Sequence, residues 1–418
     1  MISIANEDFR NPKLSFTMLN KLPISFSYSI FCVGLLMLLS LLSGCSQTSA
    51  YTPGIVSDQD PIQAFQHEMD RLRKYNGIPG MSVAVLQNQQ IVFAEGFGYA
   101  DIENGIPAAA DTPFNIASLS KTFAAAILMK LVEEGRLYLD TAIADILKNT
   151  PFPYEEGTIH GYANACKKIK ELSRDTDFEY SFLLKNYRCD TENITVRHHL
   201  THTAQGNPGE TYRYNGFLFG FLSLVAAEVS RKPYPALLVD HIIAPLEMTN
   251  TIPSTTSESR DQILAKRAKY YRVGFGGEFT PSNYPIKLSS SAGIVTTVQD
   301  MAKFDVAMDR NLIVSADSKA KMFSETISNM GKPLPYGLGW FVQEHAGAKL
   351  VWHYGWAPKA YSSLILKVPE KEVTLILFAN SEGASANFHL GRGDVLRSPF
   401  AIAFLNVFTD MMVKQEKF

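Results

Sequence analysis

What most constrains the fold of this chain is where its strand-like and helix-like runs fall. Residues 80–86 and 90–97 are β-rich runs on either side of Gln87-Asn88-Gln89, the pattern of a hairpin. Four more strand-like runs come near the other end, at 337–343, 349–352, 361–368 and 373–379, with Pro369-Glu370-Lys371 as the turn between the last two. Between these ends lie apolar helical runs, at 124–132, 217–229 and 233–243. Helical runs also sit outside the strands, with Ile62, Phe65, Met69 and Leu72 at helical spacing near the start and residues 398–412 at the close. Strands at both ends and helices in the middle predict an α+β fold, an antiparallel sheet flanked by terminal helices with an inserted helical subdomain. A functional cleft is expected between the two parts.

The chain has 418 residues, 46% hydrophobic and 19% charged, enough for one large or two medium domains. Its formal net charge of −2 gives no electrostatic case for a nucleic-acid partner. The N-terminal part reads as processing signal. Residues 30–42 are an apolar run too short to span a bilayer comfortably, preceded by Lys21 and followed by Ser43-Gly44-Cys45. Leu42-Ser43-Gly44-Cys45 resembles a bacterial lipobox, in which Cys45 becomes the lipidated first residue of the mature protein. An ordinary secretory signal cut nearby, or a membrane anchor, are the alternatives, and Met18 is an alternative start to Met1. The expected organisation is a signal peptide over 1–45, a polar tether over 46–57 and a domain over 58–418. That domain holds a helical subdomain at about 118–290 and an insertion at about 151–190. The expected location is the bacterial cell envelope, lipid-anchored and facing the periplasm. Cys166 and Cys189, both in the insertion, are then in a compartment that permits a disulfide; two separate thiols are the other reading.

Chemistry concentrates in Phe114-Asn115-Ile116-Ala117-Ser118-Leu119-Ser120-Lys121. The run that follows is apolar and ends at Gly135, so Ser118 and Lys121 are expected in the first turn of a helix, on one face. A serine hydroxyl needs a neighbouring base to become a nucleophile, and a lysine can be that base once burial lowers its pKa. A helix N-terminus adds N–H groups for a developing oxyanion. Alone, Ser-x-x-Lys is a weak signal. Two further stretches strengthen it. Tyr214, in Tyr212-Arg213-Tyr214-Asn215-Gly216, is a candidate second proton carrier, since a phenol near cations loses its proton more easily. His353-Tyr354-Gly355-Trp356 is a candidate cleft wall, with a glycine against which a substrate could lie and a Trp356 N–H to complete an oxyanion hole. His198, His199 and His202 have no carboxylate at zinc-like spacing and read as structural; no metal or cofactor is expected.

These residues resemble the serine β-lactamase and penicillin-recognising hydrolase superfamily, nearest to its class C and D-alanyl-D-alanine carboxypeptidase and esterase branch. Its signatures, S-x-x-K, Y-x-N and K-T-G or H-x-G, stand here as Ser118-Leu-Ser-Lys121, Tyr214-Asn-Gly and His353-Tyr-Gly355. Ala292-Gly-Ile-Val-Thr-Thr297 and Val368-Pro-Glu-Lys371 match as well, and the resemblance runs from about residue 63 to about 381. It implies a β-lactamase/transpeptidase-like fold and an acyl-enzyme on Ser118, with Lys121 and Tyr214 moving protons. Small acyl, peptide or ester substrates follow, hydrolysed by a peptidase or esterase, with a genuine β-lactamase or a catalytically silent binding protein as alternatives. Two departures bear on the substrate. Gly216 stands where the family has asparagine, leaving Asn215 as a displaced candidate for the substrate contact. His353 replaces the lysine that grips a substrate carboxylate; near pH 7 a histidine is only partly charged, so such a grip would weaken as pH rises through neutrality.

Overall fold

The computed structural model describes residues 60–413 except 155–156, 176–180, 191–193, 286 and 412. Cys45, the signal and the tether lie outside the described residues. Helix α1, Pro61–Tyr75, buries Phe65, Met69 and Leu72 on one face. Strand β1, Gly80–Gln87, then pairs with β2, Gln90–Asp101, through a two-residue turn. Asn88 and Gln89 both adopt positive φ there, at 51° and 63°, the backbone that lets a two-residue hairpin follow the strand twist. A short β3, Ile106–Pro107, adds to the edge.

The chain returns to this sheet after its helical middle. Strands β4, Phe341–His345, β5, Ala348–Ala357, β6, Tyr361–Val368, and β7, Val373–Ala379, form consecutive antiparallel pairs. Strand β7 lies against β1, with Met81 opposite Ala379, so the sheet order is β4-β5-β6-β7-β1-β2-β3. The antiparallel sheet built from both chain ends is thus as expected. Strand β5 runs five residues beyond the expected 349–352, through His353 to Ala357, and that extension is where the site is built.

Each face of the sheet is covered. Val83, Val85, Leu364, Leu366, Leu375 and Leu377 pack with α1 and with the closing helix α5, Pro399–Phe408. Ala84, Leu86, Val351, Ile365, Ile376 and Phe378 join the core of the helical middle. Helix α2, Ser120–Glu133, is buried on nearly all sides, as an Ala-rich run without a polar face must be. Helix α3, Gly216–Ser230, packs on α2, and α4, Val298–Asp309, starts from the Thr297 side chain, which accepts from the Asp300 N–H. The stretch 288–297, expected to be strand-like, has only Val295–Thr296 in a strand. Gly293, at φ 109°, bends the rest into a turn.

The insertion carries a hairpin, Pro151–Tyr154 with Gly157–His160, a helix, Tyr162–Leu172, and a disulfide between Cys166 and Cys189. The paired reading of the two cysteines therefore holds. Three buried side chains tie the insertion to α3. The Tyr162 and Tyr187 hydroxyls are 2.9 Å apart, and the Tyr187 hydroxyl is 3.1 Å from His199 Nε2. His199 Nδ1 donates to the Leu218 carbonyl at 2.8 Å, which leaves Nε2 as acceptor and the ring neutral. The capping box at Thr195 uses His198, so these histidines are structural in position.

Burial holds the His199 pKa down to about 4, with the Leu218 carbonyl opposing. An unfolded histidine titrates near ~6.5, so the unfolded chain binds the extra proton first as pH falls, and stability is lost between that value and the folded pKa. The expected loss from His199 alone is about 3 kcal/mol between pH 6.5 and pH 4. Urea midpoints followed against pH should show His199→Gln with a shallower acid decline than the native chain; parallel curves would refute the assignment.

Candidate active site

The site forms where the N-terminal turn of α2 meets β5. Residues Ala117–Leu119 are a 3-10 turn leading straight into α2, with Ala117 at φ 45°, an uncommon conformation for alanine that costs free energy and persists only when its surroundings enforce it. The surroundings here are three hydrogen bonds. Asn115 Oδ1 accepts from the Ala117 N–H at 3.0 Å, the Ile294 carbonyl from the Ile116 N–H at 3.1 Å, and the Ile116 carbonyl from the Ser363 hydroxyl at 2.7 Å. The turn carrying Ser118 is held from Asn115 just before it, from the 288–297 turn and from the sheet together.

Gly355 is what lets the sheet come that close. A Cβ there would stand 2.3 Å from the Ile116 carbonyl oxygen, 2.2 Å from Ser363 Oγ and 3.0 Å from the Ala117 Cβ. Beyond the substrate contact expected of this glycine, its Cβ side is packed on the turn carrying Ser118. Gly355→Ala must push that turn away from β5. We expect turnover to fall by about 10²-fold, as for an ångström-scale misplacement, with about 1–3 kcal/mol of overpacking cost in the urea midpoint. Native turnover in the alanine variant would refute this placement.

Lys121 is fully buried, and its Nζ lies 2.8 Å from Ser118 Oγ, 2.9 Å from the Ser291 carbonyl oxygen and 3.2 Å from Ser291 Oγ. It stands over the Tyr214 and Phe219 rings, at 5.1 and 5.4 Å from their centroids. Burial pushes its amine well below the usual lysine range. The pair expected on one helix turn is thus in contact, and burial favours the unprotonated amine that can accept a proton. Ser291 is a contact the sequence reading missed; it has no motif spacing to Lys121, and the turn at Gly293 that delivers it was taken for a strand.

Tyr214 is partly buried, but its hydroxyl is shielded from solvent and has no hydrogen-bond partner. Burial first, and the neighbouring Tyr354 second, hold its pKa well above the usual tyrosine range, while proximity to the Ser118 hydroxyl pulls weakly the other way. The expectation that nearby cations would favour a phenolate is corrected: burial of the hydroxyl dominates, and no cation is among the influences that lower its pKa. Tyr214 is a neutral phenol beside the nucleophile.

Two other expectations fail for geometric reasons. Asn215 is the N-cap of α3: Oδ1 accepts from the Leu218 N–H at 3.0 Å, and Nδ2 donates to the Leu183 carbonyl and Gln205 Oε1 at 2.6 and 2.9 Å. Its amide is consumed, so it is not a substrate contact. The signal was in the sequence, an asparagine just ahead of an apolar helical run. His353 is buried with both nitrogens engaged. Nδ1 donates to the Tyr354 carbonyl at 2.7 Å and Nε2 accepts from the Tyr336 hydroxyl at 2.8 Å. Burial first, then Lys121, push its pKa well below the usual histidine range. A neutral interior imidazole cannot grip a substrate carboxylate, contrary to the expectation for this position. Tyr336 and His202 complete this nest; the Asn215 N–H donates to His202 Nδ1 at 3.1 Å, and His202 too is held well below its usual pKa, by burial and then by Lys121.

Trp356 lies one residue beyond Gly355, half-exposed at the rim, with Nε1 donating to the Glu382 carboxylate at 3.0 Å. Strand β4 pairs with β5 only between Ala348 and Trp352, so among the described residues 353–357 carry no partner strand on that edge. Among the same residues no cluster of histidine, cysteine or acidic side chains could hold a metal ion.

Residues 63–395 match the beta-lactamase family. Among curated relatives, the chain is similar to Protein flp of Staphylococcus aureus (strain MW2), 26% identical over 333 residues that cover 78% of this chain and 63% of that protein. The chain thus spans somewhat under two thirds of the length of these relatives. Among solved structures it is similar to the octameric penicillin-binding protein homologue from Pyrococcus abyssi, with a TM-score of 0.61 and 24% identity over 82% of this chain and 77% of that one. It is similar in fold also to the D-amino acid amidase from Ochrobactrum anthropi SV3, at a TM-score of 0.61 and 20% identity over 83% and 98% of the two chains.

Proposed function

The chain belongs to the beta-lactamase family, and from that premise we propose that it is a serine hydrolase that cleaves an amide or ester bond through an acyl-enzyme on Ser118. The observation that carries this reading is a buried Lys121 amine 2.8 Å from the Ser118 hydroxyl, its pKa pushed down by that burial. In the proposed cycle Lys121 takes the Ser118 proton as Oγ attacks the substrate carbonyl. The backbone N–H groups of Ser118 and Trp356 receive the oxyanion. As the tetrahedral intermediate collapses, the leaving nitrogen or oxygen takes a proton from the Tyr214 phenol, which regains it from the Lys121 ammonium. Water then attacks the acyl carbon, gives its proton to the same pair of groups, and Ser118 leaves reprotonated.

The neutral, internally bonded His353 supports substrates that need no carboxylate grip at that wall, hence a peptidase, amidase or esterase ahead of a β-lactamase. The fold shared with a D-amino acid amidase supports the amide half of this reading. The test is a hydrolysis panel of p-nitrophenyl esters, nitrocefin and D-alanyl-D-alanine peptides on the purified protein, beside labelling with a fluorophosphonate. Turnover of an ester or peptide with Ser118 labelled is the expected result; a protein that neither labels nor turns over any of them is a silent binder, and the proposal falls. Attachment to the cell envelope through a lipid on Cys45 is part of the same proposal, motivated by Leu42-Ser43-Gly44-Cys45 behind an apolar run. A Cys45→Ala chain that still incorporated radiolabelled palmitate would refute it.

A further inference from the structure

We infer that the Ser291 hydroxyl is the positioning group that aims the Lys121 amine at Ser118, in place of a side chain on α3. The inference rests on the reading of Lys121 as the base. A neutral amine has two N–H bonds and one lone pair. To take the Ser118 proton, its lone pair must face Oγ, so both N–H bonds need acceptors elsewhere. Residue 291 offers two. The carbonyl oxygen at 2.9 Å can only accept, and Ser291 Oγ at 3.2 Å takes the second N–H. With both engaged, the remaining direction, toward Ser118 Oγ at 2.8 Å, is that of the lone pair.

The opposite side of the amine explains why the hydroxyl is needed. Gly216, the first residue of α3, presents no side chain, and a Cβ built there would lie 3.7 Å from Lys121 Nζ and 3.1 Å from Ser291 Oγ. The two positions therefore point at the same space beside the amine. In this chain the glycine leaves that space and Ser291 fills it. Ser291 is itself set by the turn, its N–H donating to Ser289 Oγ at 3.2 Å. The groups facing Lys121 are otherwise Ser118, the rings of Tyr214 and Phe219, and the neutral His202 and His353, and among the described residues no carboxylate pairs with it. Burial lowers its pKa, and the acceptors on residue 291 are the groups besides Ser118 that fix where its N–H bonds point.

Three variants test this on the pH profile of kcat for the substrate the panel identifies. Ser291→Ala should lower the plateau by about tenfold with KM unchanged, the effect of losing one hydrogen bond in the reacting arrangement. Its acidic limb should move to lower pH, since an acceptor that favoured the ammonium has gone. Ser291→Thr, which keeps the hydroxyl, should behave as native. Gly216→Asn combined with Ser291→Ala should recover most of the plateau, because the amide oxygen then reaches the vacated space; Gly216→Asn alone is crowded against Ser291 and should not improve on native. A Ser291→Ala plateau and limb equal to native, or a double variant no better than Ser291→Ala, overturns the inference. If the native protein neither labels with fluorophosphonate nor turns over any substrate, it is the acyl-enzyme reading that has failed, which keeps the two failures apart.

Discussion

Ser118→Ala should reduce covalent labelling and turnover to background while the urea midpoint stays within about 1 kcal/mol of native, since one partly exposed hydroxyl is lost and no packing changes. Lys121 variants separate the role of base from that of a fixed positive charge. Lys121→Ala should cost on the order of 10²–10⁴-fold in rate, as removal of a positioned base does. Lys121→Arg tells more, because a guanidinium stays protonated and cannot take a proton. It should be as inactive as the alanine variant if Lys121 is the base, and substantially active if Lys121 serves only as a cation for the oxyanion. The sign of the pH dependence follows from the same fact. The base works unprotonated, and burial lowers its pKa, so activity should rise with pH through that depressed value and then level off. A profile that climbs only near the ordinary lysine pKa of ~10.4 would mean that the amine is charged at neutrality, contrary to its surroundings.

The strand and helix periodicities carried the architecture because they report burial directly. Residues 361–368 and 373–379 were legible to the residue, each being an apolar run with turn residues at its ends. The contact between Ser118 and Lys121 was equally legible, since a helix fixes the geometry of residues three apart. What failed had long-range causes. His353 is held neutral by burial first, in a nest that Tyr336 from another segment closes at its Nε2, and then by Lys121 across the site. No spacing rule in the sequence encodes either. Gly355 has a second role that spacing does not reveal: a glycine in a strand says that something approaches closely, and only the fold says that Ile116 and Ser363 do so on its Cβ side. Asn215 was misread through attention to a family pattern when the local capping signal was the stronger one.

Away from the site, Lys367 should be the most costly single charge to remove. It lies on β6, buried, with Nζ 2.5 Å from Asp305 Oδ1 and 3.1 Å from Asp309 on α4, and 3.3 Å from the Thr374 hydroxyl opposite it on β7. Burial alone would discharge the amine, but the two carboxylates outweigh it and hold its pKa above the usual lysine range. One cation therefore neutralises acidic groups that face the sheet from the helix covering it. Lys367→Met leaves Asp305 buried without its partner, and such broken pairs cost about 3–5 kcal/mol. Lys367→Met with Asp305→Leu replaces the pair by apolar groups of similar size and should recover most of that loss, because buried pairs gain little over well-packed hydrophobic residues. The pH dependence distinguishes an unpaired charge from a packing fault. In the single variant Asp305 is expected to fold protonated, with a pKa raised above its unfolded value near ~3.9. Stability from such a group is full below the unfolded pKa and is lost as pH rises through the folded one. The deficit against native should therefore be large at pH 7 and shrink as pH falls toward 4. Urea midpoints of the native, single and double chains at both pH values decide the matter: a pH-independent deficit, or a double variant no more stable than the single, would show that the cost lies in the shape of the methionine and not in the stranded carboxylate.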